Sequence, residues 1–397
     1  MLRLEMLCTG DEVLHGQIVD TNAAWLADFL FRQGIPMRSR ATVGDALEDL
    51  VTTLQQRSEY ADVLIVNGGL GPTSDDLSAQ AAADALGEPL VEHPEWIARM
   101  QAYFAQRGRE MSESNRKQAQ IPASAELVDN PVGTACGFAI KLNRCWIFFT
   151  PGVPSEFKVM VEQQILPRLR QRFTLPEPPL CLRLTTFGRT ESGLAQQLDS
   201  LPLPEGVALG YRSSMPIIEL KLTGPETLRP AMLPVWDHIK AVAGENCIFE
   251  GTAGLPAKIR KILMQREMTL ALSEQFTAGL LNWQLRAVQA PLAAGELPVH
   301  KGRSTLKDVA ARARTLATHA QAPLALAVGE LQDSFISVAL HTPEGTFGQT
   351  MHYRAAHHSE KVRQEVTAML ALDMLRRWGN GWSPYGSYEW LQAEVTL

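Results

Sequence analysis

The sequence predicts a multidomain α/β protein, and three observations carry that prediction. Strand-like and helix-like segments alternate over residues 2–172, which implies a mostly parallel sheet with helices packed on it. Residues 62–66 read Asp-Val-Leu-Ile-Val, a continuous apolar run of the kind found in strands covered on both faces. At 397 residues the chain exceeds the ~100–150 residues around which single cores cluster, so two or three domains are expected.

Each element follows from local chemistry. Leu2, Leu4 and Met6 alternate with Arg3 and Glu5, the period of a strand, and run into the turn Thr9-Gly10-Asp11-Glu12. Asp20, Thr21 and Asn22 supply N-cap candidates for a helix over 23–31, and Gly34 with Pro36 stops it. The run at 62–66 leads through a glycine-rich turn into an alanine-rich helix over 77–86. A third copy pairs a strand at 146–149 with a helix over 155–172. These units form a domain at 1–173, and the proline-dense stretch 174–180 follows as a stiff linker.

Residues 180–250 read as a small α+β module, with strands at 181–187 and 217–223 and helices at 191–200 and 232–243. A turn at 251–254 opens a third domain, 255–380, again α/β. Its predicted helices are 255–266, 275–287 and 359–378, and its strands 268–272, 324–328 and 335–340. On the last helix Val362, Val366, Met369 and Leu370 line one face, Arg376 and Arg377 suit the C-terminal dipole, and Gly379 is the stop. The tail beyond Trp378 is expected to be a poorly ordered extension.

Composition excludes several classes. With 45% hydrophobic and 20% charged residues the chain is neither disordered nor collagenous. Its net charge, 37 − 43 = −6, disfavours nucleic acid as a partner. No stretch approaches the ~18–20 apolar residues of a membrane span and no secretory apolar segment is visible, so a cytoplasmic protein is expected. Five scattered cysteines suggest buried thiols rather than disulfides or a zinc site.

The richest chemistry lies in Asn67-Gly68-Gly69-Leu70-Gly71-Pro72-Thr73-Ser74-Asp75-Asp76. Glycines let backbone N–H groups approach a phosphate, and the following helix adds its positive end. Two carboxylates beside a phosphate call for a divalent cation between them, so Asp75 and Asp76 point to Mg²⁺ or a similar hard ion; an ordinary N-cap pair is the other reading. Asp11, Glu12 and Asp45 also follow glycines at strand ends and could converge on the same cleft. Asn115 and Lys117 are candidates to meet a phosphate, and the loop holding Asn130, Gly133 and Thr134 to frame a ring.

GDEVLHGQIVDTN, VGD, NGGLGPTSDD, NPVGTACGF and TPGVPSEF, in this order, resemble the N-terminal domain of the CinA (competence/damage-inducible protein) family. The resemblance implies a molybdopterin-binding-like three-layer domain in which the glycine loop holds a phosphate and an aspartate serves Mg²⁺. It implies Asp45, Asp75 and Asp76 as catalytic, the last two holding the metal. Gly10, Asp11, Glu12, Asn22, Gly68, Gly69, Gly71, Thr73, Asn115, Lys117, Asn130, Gly133, Thr134, Pro151 and Gly152 would bind a phosphorylated nucleotide or pterin. In some members the domain is a metal-dependent ADP-ribose pyrophosphatase. The resemblance further implies a KH-like module at 180–250, a C-terminal nicotinamide mononucleotide (NMN) deamidase domain, and a homodimer.

That last domain departs from the family where chemistry should be. Active relatives carry Ala-Glu-Ser-Cys-Thr-Gly-Gly, whereas this chain has Ser273-Glu274-Gln275-Phe276-Thr277-Ala278-Gly279. Gln275 stands where the serine nucleophile belongs, and an amide cannot replace a hydroxyl. Residues 296–300 replace a Tyr-Ser-Asn segment, and 327–332 replace a glycine-rich loop. Glu274, Gln275, Thr277 and Gly279 are therefore expected to mark a degenerate deamidase site, with Thr277 as the surviving hydroxyl. NMN amidohydrolysis and non-catalytic binding remain as alternative functions. The GxxG spacing at 251–254 reads as a turn and His357-His358 as a solvated helix start.

Overall fold

The computed structural model describes residues 2–299, 304–355 and 358–397, so His300 and His357 lie outside it. The chain divides into two compact units, one up to Pro179 and one from Leu180 onward.

In the first unit, β1 (Leu4–Thr9) leads through a one-turn helix, α1 (Asp11–Leu14), to α2 (Thr21–Arg32), β2 (Ser39–Val43), α3 (Leu47–Tyr60) and β3 (Val63–Asn67). The helix α4 (Ser78–Leu86) is followed by β4 (Leu90–Glu92), α5 (Pro94–Ala105), β5 (Gln120–Pro122), β6 (Glu126–Val128), β7 (Gly137–Leu142) and β8 (Cys145–Thr150). The sheet runs β2-β1-β3-β8-β7-β6, parallel through the first four strands and antiparallel thereafter. Every residue of β1 and of β3 is buried, which explains why β3 is apolar without alternation. Leu50, Leu54, Ala81 and Ala82 cover one face of the sheet. Leu26, Leu30, Phe157 and Leu169 cover the other, giving three layers. The helix expected over 155–172 is interrupted: α6 (Pro154–Met160) passes through a π turn at Val161–Ile165 into α7 (Leu166–Arg172).

The second unit holds two sheets. Its first part comprises β9 (Pro179–Phe187), α8 (Glu191–Leu198), β10 (Ala208–Ser214), β11 (Ile217–Pro225), α9 (Arg229–Ala243) and β12 (Cys247–Glu250), with strand order β10-β11-β9-β12. Its second part comprises α10 (Leu255–Gln265), β13 (Leu270–Glu274), α11 (Leu280–Ala287), β14 (Leu292–Glu296), α12 (Leu306–His319), β15 (Leu324–Val328), β16 (Phe335–Thr342), β17 (Gly345–Tyr353), α13 (Glu360–Gly379) and β18 (Leu391–Thr396). These strands form a sheet β14-β13-β15-β16-β17-β18, parallel over its first three strands. An alanine-rich α12 packs closely on one face, through Ala310, Ala313 and Ala317.

Three expectations are corrected here. The helix read over 275–287 starts at Leu280, because Ala278 and Gly279 take positive φ (50° and 91°) and turn the chain first. The last helix is not one-faced: from Val366 to Trp378 it is buried on nearly every side, and Arg376 and Arg377, in its last turn, are buried with it. The tail beyond Trp378 is ordered, since β18 pairs with β17 and the Tyr388 hydroxyl donates to Asp373 Oδ2 at 2.8 Å.

Asp373 and Arg376 form a buried pair on α13, with Nε–Oδ1 at 2.7 Å. Arg376 also donates to the carbonyls of Cys247 (3.0 Å) and Glu245 (2.6 Å), tying the final helix to the 180–250 segment. Arg376→Ala, which leaves a buried carboxylate unpaired, should lower stability by about 3–5 kcal/mol, whereas the double change Asp373→Leu with Arg376→Met should recover most of that. Urea unfolding followed by tryptophan fluorescence measures both, and an unshifted transition in Arg376→Ala would show the pair to be idle.

Candidate functional site

The parallel strands β1, β2, β3 and β8 end on one edge, where open α/β sheets take their ligands. A cleft of about 620 Å³ opens there, walled by the turns that leave these strands. Two buried asparagines join the turns. Asn67, closing β3, donates to Pro151 O at 2.7 Å and Thr150 Oγ1 at 3.3 Å. Its carbonyl oxygen accepts from Asn22 Nδ2 at 3.0 Å, and the same Nδ2 donates to Gly152 O at 2.8 Å.

The glycine loop follows directly. Gly68 and Gly69 take φ of +112° and +69°, and a Cβ on Gly68 would lie 2.6 Å from Thr9 Oγ1. Ser78, the first residue of α4, braces the loop by donating its hydroxyl to Gly68 O at 2.8 Å and its amide to Gly69 O at 3.1 Å. Gly68 N is spent on Thr150 O, while the amides of Gly69, Leu70 and Gly71 donate to no described residue.

Among the described residues the cleft wall carries six carboxylates, Glu12, Asp20, Asp45, Asp75, Asp76 and Glu156, and no Lys, Arg or His. Asp11 does not line it; the Asp11 and Asp45 turns brace each other, each backbone N–H donating to the other's carboxylate (3.0 and 3.3 Å). Burial, then the negative charges of Asp11, Glu12 and Asp75, push the Asp45 carboxyl above its ordinary range, against the Asp11 amide that lowers it. Asp76 closes a turn by accepting from the Thr73 amide at 2.9 Å and the Thr73 hydroxyl, so one of its oxygens is committed. Asp20 caps α2 through Ala23 N at 2.8 Å and accepts from the Cys8 thiol at 2.9 Å; burial and this carboxylate push that thiol up.

Of the remaining sequence candidates, Gly10, Asn22, Thr134, Pro151 and Gly152 line the cleft with Gly68, Gly69 and Gly71. Thr73, Asn115, Lys117, Asn130 and Gly133 do not. Lys117 donates to the Thr73 carbonyl and faces an adjoining cavity of about 340 Å³ behind the glycine loop. Asn115 is spent capping its own turn at Ser112 and bonding Gln118. Asn130, fully buried, accepts from Gly133 N at 3.1 Å and donates to Glu156 Oε2 at 2.8 Å, so it shapes the wall from behind. Sequence reasoning did not single out Thr9, Asn67 or Glu156; the last two lie inside quoted motifs, and that was their signal.

In the second unit, the stretch from Ser273 to Gly279 is held shut. Glu274 accepts from Leu281 N and Asn282 N, both at 2.9 Å, and from the Thr277 hydroxyl at 2.8 Å, so it anchors the start of α11. Gln275 Oε1 accepts from Arg312 at 2.6 Å, and the same guanidinium reaches Val328 O. Burial lowers the Arg312 pKa, with Glu296 and Glu330 opposing. Gly279 carries the positive φ that lets α11 begin.

The first unit matches the family described as "Probable molybdopterin binding domain" over residues 5–171. A protein of the Crooks strain of Escherichia coli called "CinA-like protein" is 61% identical over 397 residues, covering 100% of this chain and 99% of that one. The chain belongs to the CinA-like protein family. At the same identity and coverage it matches the Escherichia coli K12 protein called "NMN amidohydrolase-like protein YfaY". The solved structure described as the protein CinA with unknown function from Thermoplasma acidophilum is 28% identical over 43% of this chain and 96% of that one, with a TM-score of 0.38.

The charge gathered in the cleft is unfavourable without a ligand. A carboxyl held above its unfolded value contributes stability that is present at low pH and lost as pH rises through its folded pKa. Asp45→Asn should therefore raise the thermal midpoint of the unliganded protein at pH 7, by an amount that shrinks as pH falls below the Asp45 titration. Differential scanning calorimetry across pH checks this; a lower midpoint at pH 7 would contradict it.

Proposed function

We propose that the N-terminal cleft binds a phosphorylated nucleotide or pterin together with a divalent cation, and that it hydrolyses a nucleotide pyrophosphate of the ADP-ribose type. One observation carries this reading: a wall that, among the described residues, has six carboxylates and no cationic side chain sits beside a glycine loop with three unspent amides. Phosphate cannot settle there alone, because the nearest charges repel it.

The donor set fits a hard cation. Among the described residues no three Asp, Glu, His or Cys side chains are already gathered as a closed metal cage. An ion of the Mg²⁺ type needs none, since it is held by one or two carboxylates and completed by phosphate and water. Asp75 and the uncommitted oxygen of Asp76 are the groups that would hold it. A cation there supplies charge neutralisation and polarises the phosphate oxygens. The Gly69–Gly71 amides would orient the anion, and Asp45, whose carboxyl is held above its ordinary range, would take a proton from attacking water.

A second reading, NMN amidohydrolysis in the second unit, is favoured by the name of the Escherichia coli K12 relative. It is opposed by Gln275 at the nucleophile position, bonded to Arg312, and by Thr277, whose hydroxyl is directed at a carboxylate already accepting two amides. A homodimer accompanies both readings and would show in light scattering as twice 43.7 kDa.

Calorimetric titration with ADP-ribose should give binding in Mg²⁺ that EDTA abolishes, and Asp75→Ala should weaken it at least tenfold while leaving the folded protein intact. Affinity unaffected by EDTA would sink the metal-linked reading. An ammonia-release assay with NMN should stay at background; turnover lost in Thr277→Ala would transfer the activity to the second unit.

A further inference from the structure

Besides the three free amides of the glycine loop, the cleft wall leaves acceptors unpartnered. Glu156 Oε2 accepts from Asn130, but Glu156 Oε1 accepts from no described residue and no described cation pairs with this carboxylate. Asn22 Oδ1, on a side chain 6% exposed that lines the same cleft, also lacks a partner. A phosphate brings no hydrogen-bond donor to meet them. A ligand that reaches these atoms must carry N–H or O–H groups, since buried acceptors left unmet cost free energy.

Glu156 is placed rather than incidental. Asn130, with no exposed surface, spends its amide N–H on Glu156 and its carbonyl on the loop amide of Gly133. Gly133 is glycine because a Cβ there would overlap the Glu156 carboxylate. Among the described residues the cleft wall contains no Phe, Tyr, Trp or His to stack a flat ring, so a hydroxylated sugar satisfies it better than the edge of a heterocycle. A carboxylate accepting from adjacent hydroxyls is the way α/β nucleotide sites hold a ribose.

From these contacts we infer that Glu156 is a specificity-determining residue that accepts hydrogen bonds from the vicinal diol of a ribose phosphate ester, with Asn130 as its positioning residue. The inference rests on the metal-linked phosphate reading of the cleft and narrows its ligand class to ribonucleotides over pterins and deoxynucleotides.

The probes are adenosine 5′-diphosphate and its 2′,3′-dideoxy counterpart, titrated calorimetrically into the full chain in Mg²⁺. The wild-type protein should bind the ribonucleotide at least tenfold more tightly. In Glu156→Gln the amide oxygen turns to Asn130 Nδ2 and an N–H₂ faces the cleft, so acceptor becomes donor. That variant should bind both probes alike, at the affinity the wild type shows for the dideoxy compound. Equal wild-type affinities, or a preference that survives Glu156→Gln, would overturn the inference and leave the metal-linked reading standing. Absence of Mg²⁺-dependent binding by both probes would remove that reading, and the diol contact with it.

Discussion

The site depends on the buried amide of Asn67. A primary amide with no water to serve it must find protein partners for its N–H and C=O groups, and Asn67 finds them on two other segments, α2 and the turn after β8. Those bonds fix where β3 ends and where the turns after β3 and β8 begin. The glycine loop starts one residue later and inherits that position, and Ser78 pins its far side. Loop, cleft and carboxylates are therefore set by strand ends rather than by the loops' own preferences.

Glycine serves here as space for acid. A Cβ at Gly10 would meet Glu12, at Gly44 Asp11, at Gly71 Asp76 and at Gly133 Glu156. Four separate turns leave out a side chain so that a carboxylate can lie against bare backbone. The arrangement gathers like charge, and burial, with that charge adding to it, raises the Asp45 pKa. In the second unit Arg312 donates to the Gln275 oxygen and Glu274 accepts from two helix amides, while Gln275 Nε2 and Arg312 Nε find no partner among the described residues.

Much of this was legible in the sequence, and the limits are instructive. β3 and the loop after it were readable because apolar continuity and Gly-Gly-x-Gly are both local signals. The convergence of Glu12, Asp45, Asp75 and Asp76 on one cleft was readable because parallel strands share an edge, whereas Asp11, expected with them, is used in bracing the Asp45 turn. Glu156 was passed over because its role comes from Asn130, 26 residues away, a contact no spacing announces. Asn115 looked like a phosphate ligand because a capping amide and a binding amide are the same group; only partners tell them apart. Arg376 and Arg377 were readable as charges in the last turn of the helix, but not as buried ones, because the carbonyls and carboxylate they meet belong to the segment around Glu245 and Cys247.

The ordered tail bears on how the molecule is made. Phe187 packs against Tyr388, ring centroids 5.1 Å apart, and Arg189 pairs with Glu389, a contact 200 residues apart in sequence. A ribosome adding ~5–20 residues per second takes roughly 10–40 s to supply that partner. During this interval the strand carrying Phe187 has emerged without the side chains that complete its surroundings. The N-terminal unit, whose contacts are finished by Pro179, has no such wait. The nascent second unit is thus the stage at which chaperone attention and misassembly would concentrate.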